Sequence, residues 1–90
     1  MQFETEAGRL YARDGEGRLT AEVTFPQVEE GVVEINHTFV DESLRGQGVA
    51  GQAMEAVAAL LREKGWKARP SCSYAAKWFR SHSEYSDVLA

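Results

Sequence analysis

Residues 44–51, LRGQGVAG, are the stretch of this sequence whose residue types and spacing most clearly indicate chemistry. Three glycines fall within six positions, directly before a helical pattern. The start of a helix presents N–H groups without intrahelical partners and carries a partial positive charge, and glycines leave those groups uncovered. Arg45 adds a fixed positive charge with several hydrogen-bond donors. The stretch therefore predicts a site for a phosphate or a similar anion.

The same glycines have other interpretations. A tight strand-to-helix connection needs glycine for positive φ, but it accounts for one glycine better than for three. A P-loop is excluded because Gln and Ala follow the last glycine, where Lys and Ser or Thr are required. The spacing G-x-G-x-x-G over 46–51 matches the dinucleotide fingerprint, which also needs a parallel βαβ unit and an acidic residue ending the next strand. That strand ends without an acid, although Arg69 could meet a 2′-phosphate, so a nucleotide binder stays an alternative.

Cys72 is the only cysteine and lies just after Pro70, where a second helix is predicted to begin. A helix N-terminus favours the thiolate, which is the nucleophilic form of the side chain. The thiolate could accept an acyl group and pass it on, or the thiol could act as an acid. The alternative is a small buried apolar residue, which is a common role for a free cysteine.

His37 is the second catalytic candidate. A neutral imidazole could deprotonate an incoming amine or pair with the Cys72 thiol. Alternation over residues 32–40 places His37 on one face with Val33, Ile35 and Phe39, so a hydrogen-bonded histidine at the edge of the core is equally consistent with the pattern.

Three strands are predicted before the glycine stretch. Period-two alternation indicates strands at 9–14, 18–25 and 32–40, with turns at 14–17 and 29–31. In the second strand, Leu19, Ala21, Val23 and Phe25 share the apolar face. Residues 2–6 are a candidate for a further edge strand.

The period changes to helical spacing after the glycines. It predicts a helix over 46–64 that ends at Gly65, and a second helix from Ser71 or Ser73 to about His82. A short strand at 66–69 lies between them. The order β-β-β-α-β-α predicts an α+β fold with a mainly antiparallel sheet.

The motif Arg45-x-x-Gly48-x-Ala50 resembles the Q/R-x-x-G-x-G/A signature of the GCN5-related N-acetyltransferases (GNAT). HTFVDESLRGQGVA and PSCSYAAKWFRSHSEY resemble blocks of a small single-domain branch of that superfamily, whose substrate is unknown. The resemblance extends from His37 to Tyr85, and Ser83 stands where the branch usually has proline.

This resemblance implies a GNAT-like fold that binds acetyl-CoA and transfers its acetyl group to an amine, which the sequence does not identify. The pyrophosphate would lie on the backbone of the glycine stretch, so the implied cofactor-binding residues are Arg45, Gly46, Gln47, Gly48, Val49, Ala50 and Gly51. The pantetheine would follow the strand ending at Phe39 and Val40 and bond its backbone. The thioester would lie in a gap between that strand and residues 66–69, closed on the other side by the start of the second helix.

One departure from the family pattern affects the chemistry. Larger members often carry N-x-x-A-x-x-x-Y after the last central strand, and the tyrosine can protonate the departing thiolate. Here Cys72 takes the asparagine position and Phe79 the tyrosine position, so the usual acid is missing and Cys72 is the candidate replacement. Tyr74 is expected to line the acyl pocket or to pack below Trp78. The alternative to an enzyme is a non-catalytic protein that binds CoA or acyl-CoA.

Composition narrows the remaining classes of function. Ninety residues fit one domain, 1–90, and a net charge of −4 argues against nucleic-acid and membrane-surface partners. A lone cysteine and an N-terminus without a signal-peptide pattern favour the cytoplasm. No Cys/His spacing indicates a metal site.

Overall fold

The computed structural model describes residues 2–90. Its strands are β1 Glu4–Glu6, β2 Arg9–Arg13, β3 Leu19–Thr24, β4 Gln27–Glu29, β5 Val32–Ile35, β6 His37–Val40 and β7 Lys67–Pro70. Its helices are α1 Val49–Lys64 and α2 Ser73–Ser81, with 3₁₀ segments at Glu42–Leu44 and Ser83–Val88. The predicted α+β class and mainly antiparallel sheet are confirmed. Among the residues described, no helix is long and apolar enough to cross a membrane.

The strands form two sheet segments that are joined by continuous chain. One segment has the order β1-β2-β3-β6 and the other β4-β5-β7, with β5 and β7 parallel and all other pairs antiparallel. The chain passes from one segment to the other at Phe25–Pro26, between β3 and β4, and at Asn36, between β5 and β6. Pro26 has no N–H to donate, which weakens the ladder at this point. The single strand predicted at 32–40 is therefore wrong, because it is two strands separated at Asn36.

The interruption at Asn36 changes which side chains share a face. Val33 and Ile35 are buried, as predicted, but the cross-strand pairs Val23–Thr38 and Ala21–Val40 place Thr38 and Val40 on that buried side. His37 and Phe39 point to the opposite face, so the predicted common face of Val33, Ile35, His37 and Phe39 is wrong. The predicted apolar face of the second strand is confirmed for Ala21, Val23 and Phe25, which are buried. Leu19 is only half-buried and Thr20 is buried instead, because the register with β2 shifts at this point.

Both helices pack on the same face of the sheet. Met54, Val57 and Leu61 of α1 and Trp78 and Phe79 of α2 belong to one buried cluster with the inward residues of β3 and β5. The opposite face is polar: Arg9 donates to Glu22 across β2 and β3, and its guanidinium lies 3.9 Å from the centre of the Tyr11 ring. The fold therefore brings the start of α1, the start of α2 and the inward side of β6 together on one face.

Candidate functional site

The segment between β6 and α1 is built so that its main chain is exposed. Asp41 accepts hydrogen bonds from the N–H and hydroxyl of Ser43 and so fixes the 3₁₀ turn that follows β6. The chain then reverses at Gly46 and Gly48, with φ of 83° and 75°. These left-handed values favour glycine. Gly48 is the N-cap of α1 and has no side chain with which to cap it. Because a right-handed helix cannot include the positive φ of Gly46 and Gly48, α1 begins at Val49, three residues later than the predicted start at 46.

The N–H groups at this end of α1 have no protein acceptor. The first bond into the helix runs from Gln52 N–H to Gly48 carbonyl, at 3.1 Å. Within residues 2–90, no backbone or side-chain acceptor is found for the N–H groups of Gly46, Gly48, Val49, Ala50 and Gly51. A Cβ at Gly46 or Gly48 would meet no other atom within 4 Å, so space around both is open. This is the donor arrangement that an anion requires.

Gly51 differs from the other two glycines. It lies inside α1 and has no positive φ. A Cβ at this position would meet Trp78 Nε1 at 3.8 Å and Tyr74 Oη at 4.0 Å, which are ordinary contacts. The third glycine therefore lies where α2 crosses the first turn of α1.

A cavity of about 450 Å³ begins at these N–H groups. Its lining is formed by Thr38 and Val40 of β6, Leu44, Tyr74 of α2, and Arg45, Gly46, Gly48, Val49, Ala50 and Gly51. Val40, Leu44 and Val49 pack with Ala12 and Ala21 in a second apolar cluster, which forms its floor. The cavity thus joins a polar end of free N–H groups to an apolar side.

β6 borders this cavity as an edge strand. Among the strands of residues 2–90 it pairs with β3 alone, and the bond from Asp41 N–H to the Thr20 carbonyl sets the alternation of its ladder. That alternation leaves the N–H and C=O groups of Thr38 and Val40 on the free edge and turns those of Phe39 toward β3. Of the two residues predicted to guide pantetheine, Val40 is in the cavity and Phe39 is on the other face.

The gap beside β6 opens later than the sequence predicted. β5 pairs with β7 along the full length of both strands, so no gap lies beside residues 67–70. The strands part only after Pro70, where Ser71 and Cys72 both donate their N–H groups to the Ile35 carbonyl at 3.1 Å. The gap therefore lies between β6 and the start of α2.

Cys72 is the N-cap of α2 and is partly buried beside this gap. The residue predicted to cap the helix was Ser71 or Ser73, and neither does. The Cys72 Sγ lies 3.5 Å from Thr38 Oγ1. Burial raises the pKa of the Cys72 thiol, but the contact with the Thr38 hydroxyl and the neighbouring backbone N–H groups of Ala75, Tyr74 and Thr38 outweigh burial, so the pKa lies below its ordinary value.

Tyr74 and Phe79 lie on the same helix with different surroundings. Tyr74 is 38% exposed and lines the cavity, as predicted for a pocket residue. Burial of the phenol, together with the charge of a Cys72 thiolate, raises the pKa of Tyr74, so it keeps its proton at neutral pH. Phe79 is buried and packs edge-to-face on Trp78 with ring centres 5.1 Å apart. Position 79 is therefore part of the core and contributes no acid to the site.

His37 is not brought to Cys72. Its side chain is 57% exposed on the polar face of the sheet, with Nε2 3.9 Å from Glu22 Oε1. The predicted pairing of this imidazole with the thiol is wrong because the strand changes phase at Asn36. A role as base for an incoming amine stays a prediction.

Sequence reasoning missed two residues of the cavity, Thr38 and Leu44. Thr38 was placed on the solvent face by unbroken alternation. The available signal was Pro26, since proline within a strand indicates an interruption. Gln47, which was predicted to bind the cofactor, is exposed and donates its amide to the Ser43 carbonyl at 3.3 Å.

A larger cavity of about 710 Å³ lies at the other end of α1, beside Gly8, Lys64 and Trp66. None of the candidate residues lines it. The smaller cavity is the candidate site because it combines free N–H groups with a free strand edge, and because its lining residue Thr38 contacts the Cys72 sulfur.

Comparison with known proteins identifies the family. The profile described as GCN5-related N-acetyl-transferase matches residues 9–88. The chain therefore belongs to the GCN5-related N-acetyltransferase family. No curated protein matches the sequence.

Solved structures agree with this assignment. A GCN5-like protein from Staphylococcus aureus, determined by NMR, is 31% identical with a TM-score of 0.82, over 99% of this chain and 87% of that one. A GNAT family N-acetyltransferase from Escherichia coli in complex with CoA is 31% identical with a TM-score of 0.61; the match covers 69% of this chain and 38% of that one. A GNAT family acetyltransferase from Staphylococcus aureus Mu50, at 13% identity and a TM-score of 0.65, shares the fold.

Proposed function

We propose that this protein binds acetyl-CoA in the cavity between β6 and the start of α1 and transfers the acetyl group to an amine. The observation that carries the proposal is the set of five N–H groups, on Gly46 and residues 48–51, that have no acceptor among the described residues and open into one cavity. A diphosphate is a suitable ligand because it is a compact anion with several acceptor oxygens. Arg45 lines the same end and adds a positive charge.

The rest of the cavity suits the remainder of acetyl-CoA. The free edge of β6 offers the N–H and C=O groups of Val40 to the amides of a pantetheine arm, which would pair like an added strand. Val40, Leu44 and Val49 supply apolar contact beneath the arm. The E. coli relative described above was crystallised with CoA, which supports the same ligand class for this chain.

Cys72 is the proposed acyl acceptor within the site. Its sulfur would form a bond to the acetyl carbonyl carbon while the bond from that carbon to the CoA sulfur breaks, and CoA would leave as a thiolate. An amine nitrogen would then form the C–N bond as the acetyl–Cys72 bond breaks. The proton that the amine loses balances the one that the CoA thiolate takes up. Tyr74 remains protonated at the cavity wall and can donate a hydrogen bond there.

Mass spectrometry under two conditions tests both parts of this proposal. Native spectra of the protein mixed separately with acetyl-CoA, CoA and NADP should show complexes with the first two only. Denaturing spectra of the acetyl-CoA sample should show one acetyl group on Cys72, absent from Cys72→Ala.

The possible outcomes separate the alternatives. Binding of CoA and acetyl-CoA without any acetylated protein, combined with no transfer to a panel of amines, would favour a non-catalytic CoA-binding protein. Transfer to an amine that proceeds unchanged in Cys72→Ala would remove Cys72 from the mechanism. A complex with NADP alone would contradict the assignment of the cavity.

A further inference from the structure

Thr38 is the side chain that connects the Cys72 sulfur to the cavity. Thr38 lines the cavity, whereas Cys72 is not among its lining residues. Thr38 Oγ1 lies 3.5 Å from Cys72 Sγ, a contact that joins β6 to the start of α2 across 34 positions of sequence. The two residues lie where the strands part, at the end of the gap that the proposed thioester would occupy.

The direction of this hydrogen bond depends on the state of the sulfur. With a neutral thiol, either atom could donate. With a thiolate, only the Thr38 hydroxyl has a proton to give, and a donor to a charged acceptor makes a stronger bond than a donor to a neutral one. The contact therefore favours the thiolate over the thiol.

We infer that Thr38 is a positioning residue for Cys72: its hydroxyl donates to the thiolate sulfur and holds it at the edge of the cavity. The hydroxyl would stabilise the thiolate that the proposed function requires, and its importance for acyl transfer rests on that proposed function. No bond to Thr38 is broken in the acyl transfer, and the hydroxyl keeps its proton throughout.

The other groups that could influence the ionisation of the Cys72 thiol are backbone N–H groups and titratable side chains. The backbone N–H groups of Tyr74 and Ala75 on α2 and of Thr38 on β6 also lower the pKa of the thiol. Among titratable groups, Tyr74 on α2 interacts with the Cys72 charge. Glu34 on β5 instead accepts from the Ser71 hydroxyl at 2.6 Å, and His37 lies on the opposite face of β6 beside Glu22. None of these groups changes when only the Thr38 hydroxyl is removed.

The test measures the rate of Cys72 alkylation by iodoacetamide against pH for the wild type, Thr38→Val and Thr38→Ser. Cys72 is the only cysteine, so the alkylated fraction of the intact protein reports on this sulfur alone. Valine keeps the branched shape without the hydroxyl, and serine keeps the hydroxyl without the methyl group. No acetyl-CoA is present, so the result stands whether or not the proposed ligand binds.

In Thr38→Val we expect the midpoint of the rate profile to move upward by about one pH unit, with roughly tenfold slower alkylation below both midpoints. The plateau at high pH should not fall, because the sulfur stays accessible once it is ionised. Thr38→Ser should restore the wild-type midpoint. Coincident midpoints for wild type and Thr38→Val, or a Thr38→Ser profile that matches Thr38→Val, would overturn the inference. Equal slowing at every pH would do so too, since it indicates altered access.

Discussion

Each end of α1 has a glycine in the left-handed conformation, but the two ends differ in hydrogen bonding. Gly48 at the N-cap has φ of 75° and Gly65 at the C-cap has φ of 71°. At the C-terminal end, Gly65 N–H donates to the Arg62 carbonyl and Trp66 N–H to the Leu61 carbonyl, at 3.2 Å and 2.9 Å. At the N-terminal end, the free N–H groups of Gly48 to Gly51 have no partner among residues 2–90. We call the C-terminal end closed, because its free carbonyls are hydrogen-bonded, and the N-terminal end open, because its free N–H groups are not.

The difference shows that a left-handed glycine alone does not identify a ligand site. The closed end also carries side-chain bonds: Arg62 donates to Asp87 and to the Glu84 carbonyl, and Lys67 donates to the Asp87 carbonyl. These contacts fasten the C-terminal 3₁₀ segment to α1 and to β7. Unsatisfied N–H groups that face a cavity are the feature that distinguishes the open end, because a bound anion can supply their acceptors.

The largest effect should come from Gly48→Glu. The new carboxylate would lie among the N–H groups that we assign to the diphosphate, and like charges at a binding surface cost several kcal/mol. Affinity for acetyl-CoA should fall by about 100-fold or more, since each factor of ten corresponds to about 1.4 kcal/mol. Isothermal titration calorimetry well below the melting temperature measures this.

Gly65→Glu is the matched control for that variant. A Cβ at Gly48 or Gly65 meets nothing within 4 Å, and both positions carry the strain of a non-glycine residue at positive φ, roughly 1–2 kcal/mol. Gly65→Glu should therefore lower stability without lowering affinity. If the two variants lose affinity equally, the loss reflects general destabilisation and the anion site is in the wrong place.

Gly51→Ala should have a smaller effect and in the favourable direction. Gly51 is helical, and replacing an interior helical glycine by alanine gains up to about 1 kcal/mol. The new methyl group would make ordinary contacts of 3.8 Å and 4.0 Å to Trp78 and Tyr74, and the Gly51 N–H would remain. The melting temperature should rise while affinity for acetyl-CoA changes less than threefold, within the scatter expected of a neutral change. A large loss of affinity would instead show that bare space at residue 51 is part of the ligand site.

Gly46, Gly48 and Gly51 show most clearly what the sequence could predict and what required the structure. Their number and spacing predicted an anion site, which stays a prediction. The end of α1 at Gly65 was predicted from the helical spacing before it, and that end is confirmed. The spacing of the glycines did not reveal that Gly46 and Gly48 are required by backbone conformation while Gly51 lies beneath α2. That distinction depends on which atoms of α2 come near α1, and this is tertiary information.

The error at β6 has a different physical origin. Period-two alternation assumes an unbroken ladder, and one interruption at Asn36 moves every later side chain to the other face. His37 and Phe39 were therefore placed beside the site and Thr38 away from it, whereas the structure has the reverse. Cys72 was placed correctly at the start of α2 because Pro70 and the helical spacing after it fix that boundary locally.

The smallest effect should come from Asp87→Asn at the closed end. Hydrogen bonds from Arg62 hold the pKa of the Asp87 carboxyl below its ordinary value of 3.8. A carboxyl whose pKa is lowered in the folded state stabilises the fold above that ordinary value, and this contribution is lost as the pH falls through the folded-state pKa. The variant should therefore melt slightly below the wild type at pH 7, and the difference should vanish in acid. Both side chains are about half exposed, so salt should also reduce it.

The control for Asp87→Asn is the double variant Arg62→Gln with Asp87→Asn. If the charge pair is the cause, Asp87→Asn should change the melting temperature at pH 7 less in the Arg62→Gln background than in the wild type. Arg62→Gln alone is the reference, because it also removes the bond to the Glu84 carbonyl. Affinity for acetyl-CoA should be the same in all of these proteins, because the pair lies at the closed end of α1, away from the free N–H groups. A melting difference that persists unchanged in acid would show that Asp87 acts through its shape and not its charge. A loss of affinity would show that the two ends of α1 are coupled, and the contrast between an open and a closed end would then no longer hold.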